Sequence, residues 1–259
     1  MSPVKVADAC ASAAEVHPPR KLGLSVVIPC FNEEAGAPAL VARLEALERE
    51  LAGERDVEFV FVDDGSTDAT AACLETLSLG RPNYRLLRHP QNRGIAAAML
   101  TGIHAATYEY TATIDADCTY DPALLIAMLP QLESGADVVT ASPYHPDGEV
   151  LNVPAWRLTL SKTASRLYRW VFRRKLHTYT SCFRLLRQSV VGRLELRESG
   201  FVGVTEMLWR LDRNGCHIVE QPAVLSSRQF GVSKLRVVRA TWGHVKLLTR
   251  AACERLLGR

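Results

Sequence analysis

Two aspartates separated by one residue, Asp115 and Asp117, directly follow a predicted strand at 111–114. In an extended chain, residues i and i+2 point to the same side, so the two carboxylates face together. Carboxylates placed in this way can share a hard divalent cation such as Mg²⁺ or Mn²⁺, and such an ion usually also holds substrate phosphates. A solvated loop would explain the motif taken alone, but its position after a buried strand favours a metal site.

A second acidic turn, 62–68, contains Asp63 and Asp64 immediately before Gly65. A capped strand-to-helix loop accounts for the polar residues 66–68, which can begin the following helix. It does not account for both carboxylates before the glycine. A carboxylate at this point can accept hydrogen bonds from a nucleobase or a ribose.

Alternating strands and helices position these two turns. Apolar runs predict buried strands at 24–28 and 59–62, and further strands are predicted at 84–87, 111–114 and 138–141, with helices between them. This alternation predicts an α/β fold with a mostly parallel central sheet and helices on both faces. Ligands of such sheets bind beyond the carboxyl ends of the strands, and both acidic turns fall there.

The charge is divided unevenly along the 259 residues. Residues 1–150 carry 10 basic and 22 acidic residues, whereas residues 151–259 carry 21 and 6. Helices predicted at 155–175 and 235–258 hold much of the positive charge. Three tryptophans lie among these basic residues: Trp156, Trp170 and Trp242. This composition favours a membrane surface with anionic lipid, the alternative being core-packed helices with a solvated basic face. No nucleic-acid motif accompanies the charge, so we exclude nucleic acid as a partner.

Cysteine usage and the termini suggest a cytoplasmic protein. The seven cysteines include no C-x-x-C pair, which predicts reduced thiols rather than disulfides or a zinc site. Residues 1–21 lack the apolar centre of a signal peptide and are predicted to be a flexible leader. No run approaches the ~20 apolar residues that cross a bilayer. We therefore expect the chain to lie on the cytosolic face of a membrane at most, without spanning it.

Several motifs in fixed order connect the chain with a known family. In the first half they are Pro29-Cys30-Phe31-Asn32-Glu33-Glu34, the turn 62–68, Asn92-Arg93-Gly94 and Asp115-Ala116-Asp117. In the second half they are Trp156-Arg157 with Ser161, then 180–184 and 228–234. Together they resemble the family 2 glycosyltransferases of GT-A (Rossmann-like) fold, in particular the dolichol-phosphate mannose synthases and their polyprenyl-phosphate relatives.

The resemblance implies the domain organisation and the roles of individual residues. It implies a GT-A domain at 22–234, with a nucleotide half at 22–142 and an acceptor half at 143–234, before a C-terminal basic amphipathic helix at 235–259. Residues expected to bind the nucleotide sugar are Pro29, Glu33, Asp63, Asp64 and Asp115. Residues expected to hold Mg²⁺ or Mn²⁺ are Asp115, Asp117 and Thr119. Residues expected to bind the acceptor phosphate or the departing diphosphate are Arg157, Ser161, Arg228 and Lys234.

Two positions depart from the pattern of the family. Pro143 stands where many members have an arginine that binds the acceptor phosphate, and Thr119 stands where many have a glutamine. The missing arginine removes an expected contact with the acceptor phosphate. The replacement of a carboxamide by a hydroxyl concerns the metal, because a hydroxyl is the weaker ligand.

The implied reaction moves a mannose- or glucose-type hexose from a GDP- or UDP-hexose to a polyprenyl or dolichyl phosphate, with inversion. A phosphate acceptor needs no general base, whereas a hydroxyl acceptor does. The candidate base is Glu206, whose alternative role is a structural acid paired with an arginine. Two rival functions remain: transfer to a soluble hydroxyl acceptor in polysaccharide or secondary-metabolite assembly, and a non-catalytic nucleotide-sugar-binding adaptor on the membrane. A membrane-protein partner is left open.

Overall fold

The computed structural model describes residues 21–192, 194–228 and 237–256. Its strands are β1 (Lys21–Cys30), β2 (Asp56–Asp63), β3 (Tyr84–Arg88), β4 (Tyr108–Thr113), β5 (Val138–Ser142), β6 (Glu149–Leu151), β7 (Arg184–Arg187), β8 (Ile218–Pro222) and β9 (Val224–Ser226). Its helices are α1 (Ala37–Leu51), α2 (Thr70–Ser78), α3 (Ile95–Ala105), α4 (Leu124–Glu133), α5 (Ala155–Val171), α6 (Gln188–Val191), α7 (Phe201–Arg213) and α8 (Val237–Leu256). The five strands expected in the first half are confirmed.

A seven-stranded sheet has the order β3-β2-β1-β4-β7-β5-β8. Neighbouring strands run parallel except at β7, which is antiparallel to both β4 and β5. The predicted mostly parallel sheet is therefore confirmed, and β7 is its antiparallel member. The strands β6 and β9 form a separate parallel pair that the sequence pattern does not indicate.

Helices cover both faces of the sheet, as predicted, and β1 shows why. Val26 and Ile28 point into a core formed with α1, α2 and α4. Val27 points to the opposite side, into a core formed with α3, α5, α7 and α8. Because successive strand residues alternate between faces, a strand that is apolar throughout is buried on both sides.

The helix expected at 155–175 ends at Val171, four residues early. The carboxylate of Asp212 on α7 accepts hydrogen bonds from the backbone N–H groups of Arg173 (2.6 Å) and Arg174 (2.9 Å). These N–H groups would otherwise bind carbonyls one turn back in a continuing helix. A tertiary contact therefore ends α5 and turns the chain toward β7.

The predictions for the two termini are covered only in part. Residues 1–20 of the expected leader lie outside the described residues, and the expected domain boundaries stay predictions. The last expected helix is present as α8 over Val237–Leu256. Within the described ranges, no helix combines the length and apolar character needed to cross a bilayer.

Candidate active site

A cavity of about 1460 Å³ opens at the carboxyl ends of β1, β4 and β5. One wall is formed by the loops after β1, β2 and β4, which carry most of its carboxylates. A second wall is formed by α5 and the segment 178–182, which carry an arginine and several hydroxyls. The segments 152–154, 198–202 and 225–228 and two small residues of α8, Ala240 and Gly243, also line the cavity.

Asp115 and Asp117 lie together in this cavity, as their spacing predicts. Burial, followed by the nearby charge of Asp117, raises the pKa of Asp115 to about 7, although a hydrogen bond from the Cys182 thiol opposes the rise. The backbone N–H of Thr119 donates to Oδ1 of Asp117 at 3.1 Å. The carbonyl of Thr119 accepts from the N–H of Ser226 at 2.9 Å, which ties this turn to β9.

Arg228 bridges two carboxylates of the same wall. Its Nε and Nη2 lie 3.0 and 2.9 Å from Oδ2 of Asp117, and its Nη1 lies 3.0 Å from Oε1 of Glu33. The carboxylates are far apart in sequence, yet one guanidinium neutralises both. The structure therefore shows that this point of the cavity accommodates positive charge between carboxylate oxygens.

Asp64 shapes the loop that follows β3. Its Oδ1 accepts from the backbone N–H of Arg93 at 2.9 Å and lies 2.7 Å from Nδ1 of His89. Its Oδ2 accepts from the N–H of Gly94 at 2.7 Å. Asp64 lines the cavity, as do Pro29 and Glu33, whereas Asp63 is buried beside it and accepts from the N–H of Ser66 at 3.0 Å. Asp63 thus supports the turn from below.

A smaller pocket of about 620 Å³ adjoins the acidic wall. Residues that line it include Phe31, Ser66, Arg88, His89 and Asn92. Phe31 and Asn92 also line the larger cavity, so the two spaces are neighbours. An aromatic ring with polar groups around it suits a planar heterocycle.

Arg157 and Ser161 both line the cavity, one helical turn apart on α5. The hydroxyl of Ser161 lies 3.1 Å from the hydroxyl of Thr180, so the neighbouring segment 178–182 orients it. The Nε of Arg157 is buried and has no hydrogen-bond partner among the described residues. The expected phosphate-binding pair is therefore brought together on one wall. Pro143 lines the cavity as well, at the end of β5.

Glu206 lies elsewhere than a general base requires. It is fully buried on α7 and does not line the cavity. Its Oε1 accepts from Arg210 and Arg250, and its Oε2 accepts from the backbone N–H groups of Arg197 and Glu198. The expectation of a base is thus corrected in favour of its alternative, a structural acid paired with arginine. Lys234 lies outside the described residues.

The segment 198–202 and two residues of α8 line the cavity, although no motif in the sequence predicts either contribution. Glu198 and Ser199 line the cavity, between the loop after β3 and α7. No periodic pattern marks this segment. Its one signal is Gly203, where a Cβ would stand 2.0 Å from the carbonyl oxygen of Glu198.

A mostly parallel sheet with paired carboxylates at its strand ends, in one cavity with an arginine and several hydroxyls, is the arrangement of the GT-A glycosyltransferases. The model of the family described as Glycosyl transferase family 2 matches residues 25–194. The chain belongs to this family, and it is a glycosyltransferase.

Two relatives of similar sequence are named as enzymes of polyprenyl-phosphate mannose transfer. The polyprenol monophosphomannose synthase of Mycolicibacterium smegmatis is 32% identical over 217 residues, which cover 81% of this chain and 80% of the relative. The undecaprenyl-phosphate mannosyltransferase of Micrococcus luteus is 28% identical over 215 residues, with 81% and 86% covered.

Solved structures agree in fold. Glucosyl-3-phosphoglycerate synthase of Mycobacterium tuberculosis, in complex with Mn²⁺, uridine-diphosphate and glucosyl-3-phosphoglycerate, gives a TM-score of 0.64 at 18% identity, covering 90% of this chain and 80% of that one. Mannosyl-3-phosphoglycerate synthase of Rubrobacter xylanophilus gives 0.67 at 20% identity, covering 92% and 75%. At these identities the likeness concerns the fold alone.

Proposed function

We propose that this enzyme transfers a hexose of the mannose or glucose type from a nucleotide sugar to a polyprenyl phosphate, with inversion at the anomeric carbon. The observation that carries the proposal is one cavity with two chemically different walls. Carboxylates form the donor wall, and Arg157 with Ser161 and Thr180 forms the acceptor wall. The names of the curated relatives, which specify polyprenol monophosphate and undecaprenyl phosphate, support this acceptor.

The donor wall suits a divalent cation. Asp115, Asp117 and Thr119 offer hard oxygen donors of the kind that Mg²⁺ and Mn²⁺ prefer. The position of Arg228 between Asp117 and Glu33 supports the fit, because positive charge already lies there. A bound ion would neutralise charge that develops on the departing diphosphate. A structural neighbour with Mn²⁺ and uridine-diphosphate supports the same use.

Arg228 has a second role in this proposal. When the donor diphosphate enters, its oxygens compete with Asp117 and Glu33 for the guanidinium. Arginine binds phosphate oxygens in the same forked geometry as carboxylates, so the exchange replaces one charged pair with another. Arg228 then stabilises the leaving group, and we assign the same task to Lys234.

The nucleobase is assigned to the smaller pocket beside the acidic wall. Its Phe31 ring offers a face for stacking, and Arg88 and Ser66 offer polar contacts. The ribose then lies near Asp64. GDP and UDP donors both fit this description, so a panel with both bases is required.

The acceptor wall explains how the reaction proceeds without a base. A phosphate monoester has a second pKa of about 6, so it is mostly dianionic at pH 7 and needs no deprotonation before attack. Arg157 would orient the dianion through charge-assisted hydrogen bonds. The burial of Glu206 outside the cavity agrees with a reaction of this type.

Replacing Arg157 with methionine is expected to raise the KM for the acceptor about a hundredfold and to leave donor binding unchanged. A hydrogen bond to a charged group contributes about 1.5–3 kcal/mol, and methionine keeps the bulk of the side chain without its charge. The measurement is initial-rate kinetics with a short-chain, water-soluble polyprenyl phosphate, run alongside donor titration by calorimetry.

The matched control for this variant is Arg166→Met. Arg166 lies on the same helix, is exposed and does not line the cavity, so its KM should stay at the wild-type value. Equal KM values for Arg157→Met and wild type would remove Arg157 from the acceptor site. A panel of GDP- and UDP-hexoses with Mn²⁺ tests the whole proposal, which fails if no donor supports transfer to polyprenyl phosphate.

A soluble hydroxyl acceptor is the second candidate function. Pro143 favours it, because this residue lines the cavity at the position where the family often has a phosphate-binding arginine. Transfer to a sugar or glycerate hydroxyl in the same panel, with none to polyprenyl phosphate, would establish it in place of the first.

The helices α5 and α8 are proposed as a surface for anionic membranes. Trp170 is 79% exposed, Trp242 62% and Trp156 51%, and basic residues surround all three. The two helices pack against each other, so their exposed residues lie on adjoining elements. Amphipathic aromatic rings among basic side chains are typical of helices that lie in the lipid interface.

The double variant Trp170→Ser/Trp242→Ser is expected to lose binding to anionic vesicles by at least about tenfold, because each indole contributes apolar area that enters the interface. Liposome flotation with and without anionic lipid, at low and high salt, measures this. Leu79→Ser removes an equally exposed apolar side chain (76%) from the end of α2 and should bind as wild type does. Equal flotation of all three proteins would contradict the assignment.

A further inference from the structure

Glu198 differs from the other carboxylates of the cavity. Glu33 and Asp117 pair with Arg228, Asp64 binds His89 and two backbone N–H groups, and Asp115 accepts from Cys182. Glu198 is half-buried and lines the same cavity, yet within the described ranges its side chain makes no hydrogen bond or ion pair. Its hydrogen-bonding capacity is therefore available to a ligand.

The backbone of Glu198 is held firmly. Oε2 of the buried Glu206 accepts hydrogen bonds from the N–H groups of Arg197 (3.1 Å) and Glu198 (2.9 Å). Gly203 packs against the carbonyl group of Glu198, since a Cβ at this glycine would stand 2.0 Å from the carbonyl oxygen. These contacts fix the position of the backbone from which the side chain extends into the cavity.

The same segment lies against the donor wall. The carbonyl of Ser199 accepts from the N–H groups of Ala96 (2.9 Å) and Ala97 (3.1 Å) in the first turn of α3. Gly94, with φ of 100°, permits this approach, because a Cβ there would lie 2.5 Å from the same carbonyl oxygen. The N–H of Gly94 in turn binds Asp64. Glu198 therefore stands beside the loop that shapes the nucleotide side of the cavity.

We infer that Glu198 binds hydroxyl groups of the transferred hexose and thereby contributes to the choice of sugar; this inference rests on the proposed nucleotide-sugar donor. A carboxylate with both oxygens available accepts two hydrogen bonds from neighbouring hydroxyls. It repels phosphate, which carries negative charge, but not a neutral sugar ring. The position of hydroxyls on the ring then decides how many such bonds form, so epimers are distinguished.

Calorimetry without acceptor tests the inference. The titrants are GDP-mannose and UDP-glucose, each compared with its own nucleoside diphosphate, in the presence of Mn²⁺. Glu198→Ala is expected to weaken the nucleotide sugar that the wild type binds by about tenfold to a hundredfold, since a hydrogen bond to a charged group is lost. Affinity for the nucleoside diphosphate, which lacks the sugar, is expected not to fall, because only a repulsive charge is removed.

Glu195→Ala is the matched control, because Glu195 is an exposed carboxylate in the same segment and does not line the cavity. Its two affinities should equal those of wild type. Unchanged binding of the nucleotide sugar by Glu198→Ala, or an equal loss for sugar and diphosphate, overturns the inference while leaving the proposed function intact. Failure of the wild-type protein to bind any nucleotide sugar refutes the proposed function and this inference with it.

Discussion

Replacing Asp117 with asparagine is expected to lower kcat/KM for hexose transfer by about a thousandfold. A divalent ion at a diphosphate contributes several kcal/mol of charge stabilisation, and each 1.36 kcal/mol corresponds to a factor of ten in rate. An amide keeps the shape of the side chain but removes the charge that attracts the ion. Asp117 also forms an ion pair with Arg228. The variant therefore loses the carboxylate charge toward both the metal ion and Arg228. The measurement is steady-state kinetics over a range of Mn²⁺ concentrations.

Mn²⁺ binding gives a readout that does not depend on turnover. Electron paramagnetic resonance of Mn²⁺ with the protein and nucleoside diphosphate should show wild-type binding and a strongly weakened Asp117→Asn complex. Asp121→Asn is the control, because Asp121 follows on the same loop, is exposed and caps the N–H of Ala123 instead of lining the cavity. Unchanged Mn²⁺ binding in Asp117→Asn would remove Asp117 from the metal site.

The carboxylate wall of the cavity was predictable from sequence because its signals are local. β1, β2 and β5 contain short apolar runs, and a parallel sheet brings the carboxyl ends of its strands to one edge. Asp64 and Asp115, which follow two strands of this sheet, were therefore expected at the same edge, and both line the cavity. The placement of Arg157 and Ser161 on one side of α5 was predictable from a local signal as well, since residues four apart on a helix share a face.

The parts that could not be predicted depend on contacts between distant segments. The strand β7 is antiparallel to β4, and the chain that leads to it after α5 is held by Asp212 on α7 through two backbone N–H groups. The bridge from Arg228 to Glu33 joins residues at opposite ends of the domain. No periodicity of a single element encodes such pairs, so only the folded chain shows them.

Glu206 illustrates how one acidic residue near a cavity can suggest the wrong role. Its position at the start of a helix after a glycine matched a general base, and its side chain lies within reach of the cavity wall through Glu198. However, all of its acceptor capacity is used inside the protein, by two arginines and two backbone N–H groups. A carboxylate so occupied cannot also receive a proton from a substrate hydroxyl in the cavity.

Glu206→Gln is accordingly expected to lower the free energy of unfolding by about 2–3 kcal/mol while changing kcat less than about fivefold. Removing one partner of a buried ion pair typically costs 3–5 kcal/mol. The side chains of Arg210 and Arg250 retain 26% and 21% exposure, so water partly compensates them and the cost falls at or below the lower end. The glutamine oxygen can still accept from the N–H of Glu198, which keeps the cavity wall in place. Urea denaturation measures the first effect, and transfer assays at a temperature where the variant is folded measure the second.

The pH dependence of kcat separates the two roles of Glu206 most sharply. A general base that is lost removes typically 10²–10⁴ in rate together with the acidic limb of the profile. The loss of a structural acid leaves the pH profile of the folded enzyme unchanged, even though the folded state is less stable. Glu58→Gln provides the comparison, because Glu58 is a similarly buried carboxylate, 5% exposed, bound to Ser25, Thr107 and Arg85 away from the cavity. Both variants should therefore unfold at lower urea concentration and show the wild-type profile, and a folded Glu206→Gln enzyme that loses the acidic limb would restore the base.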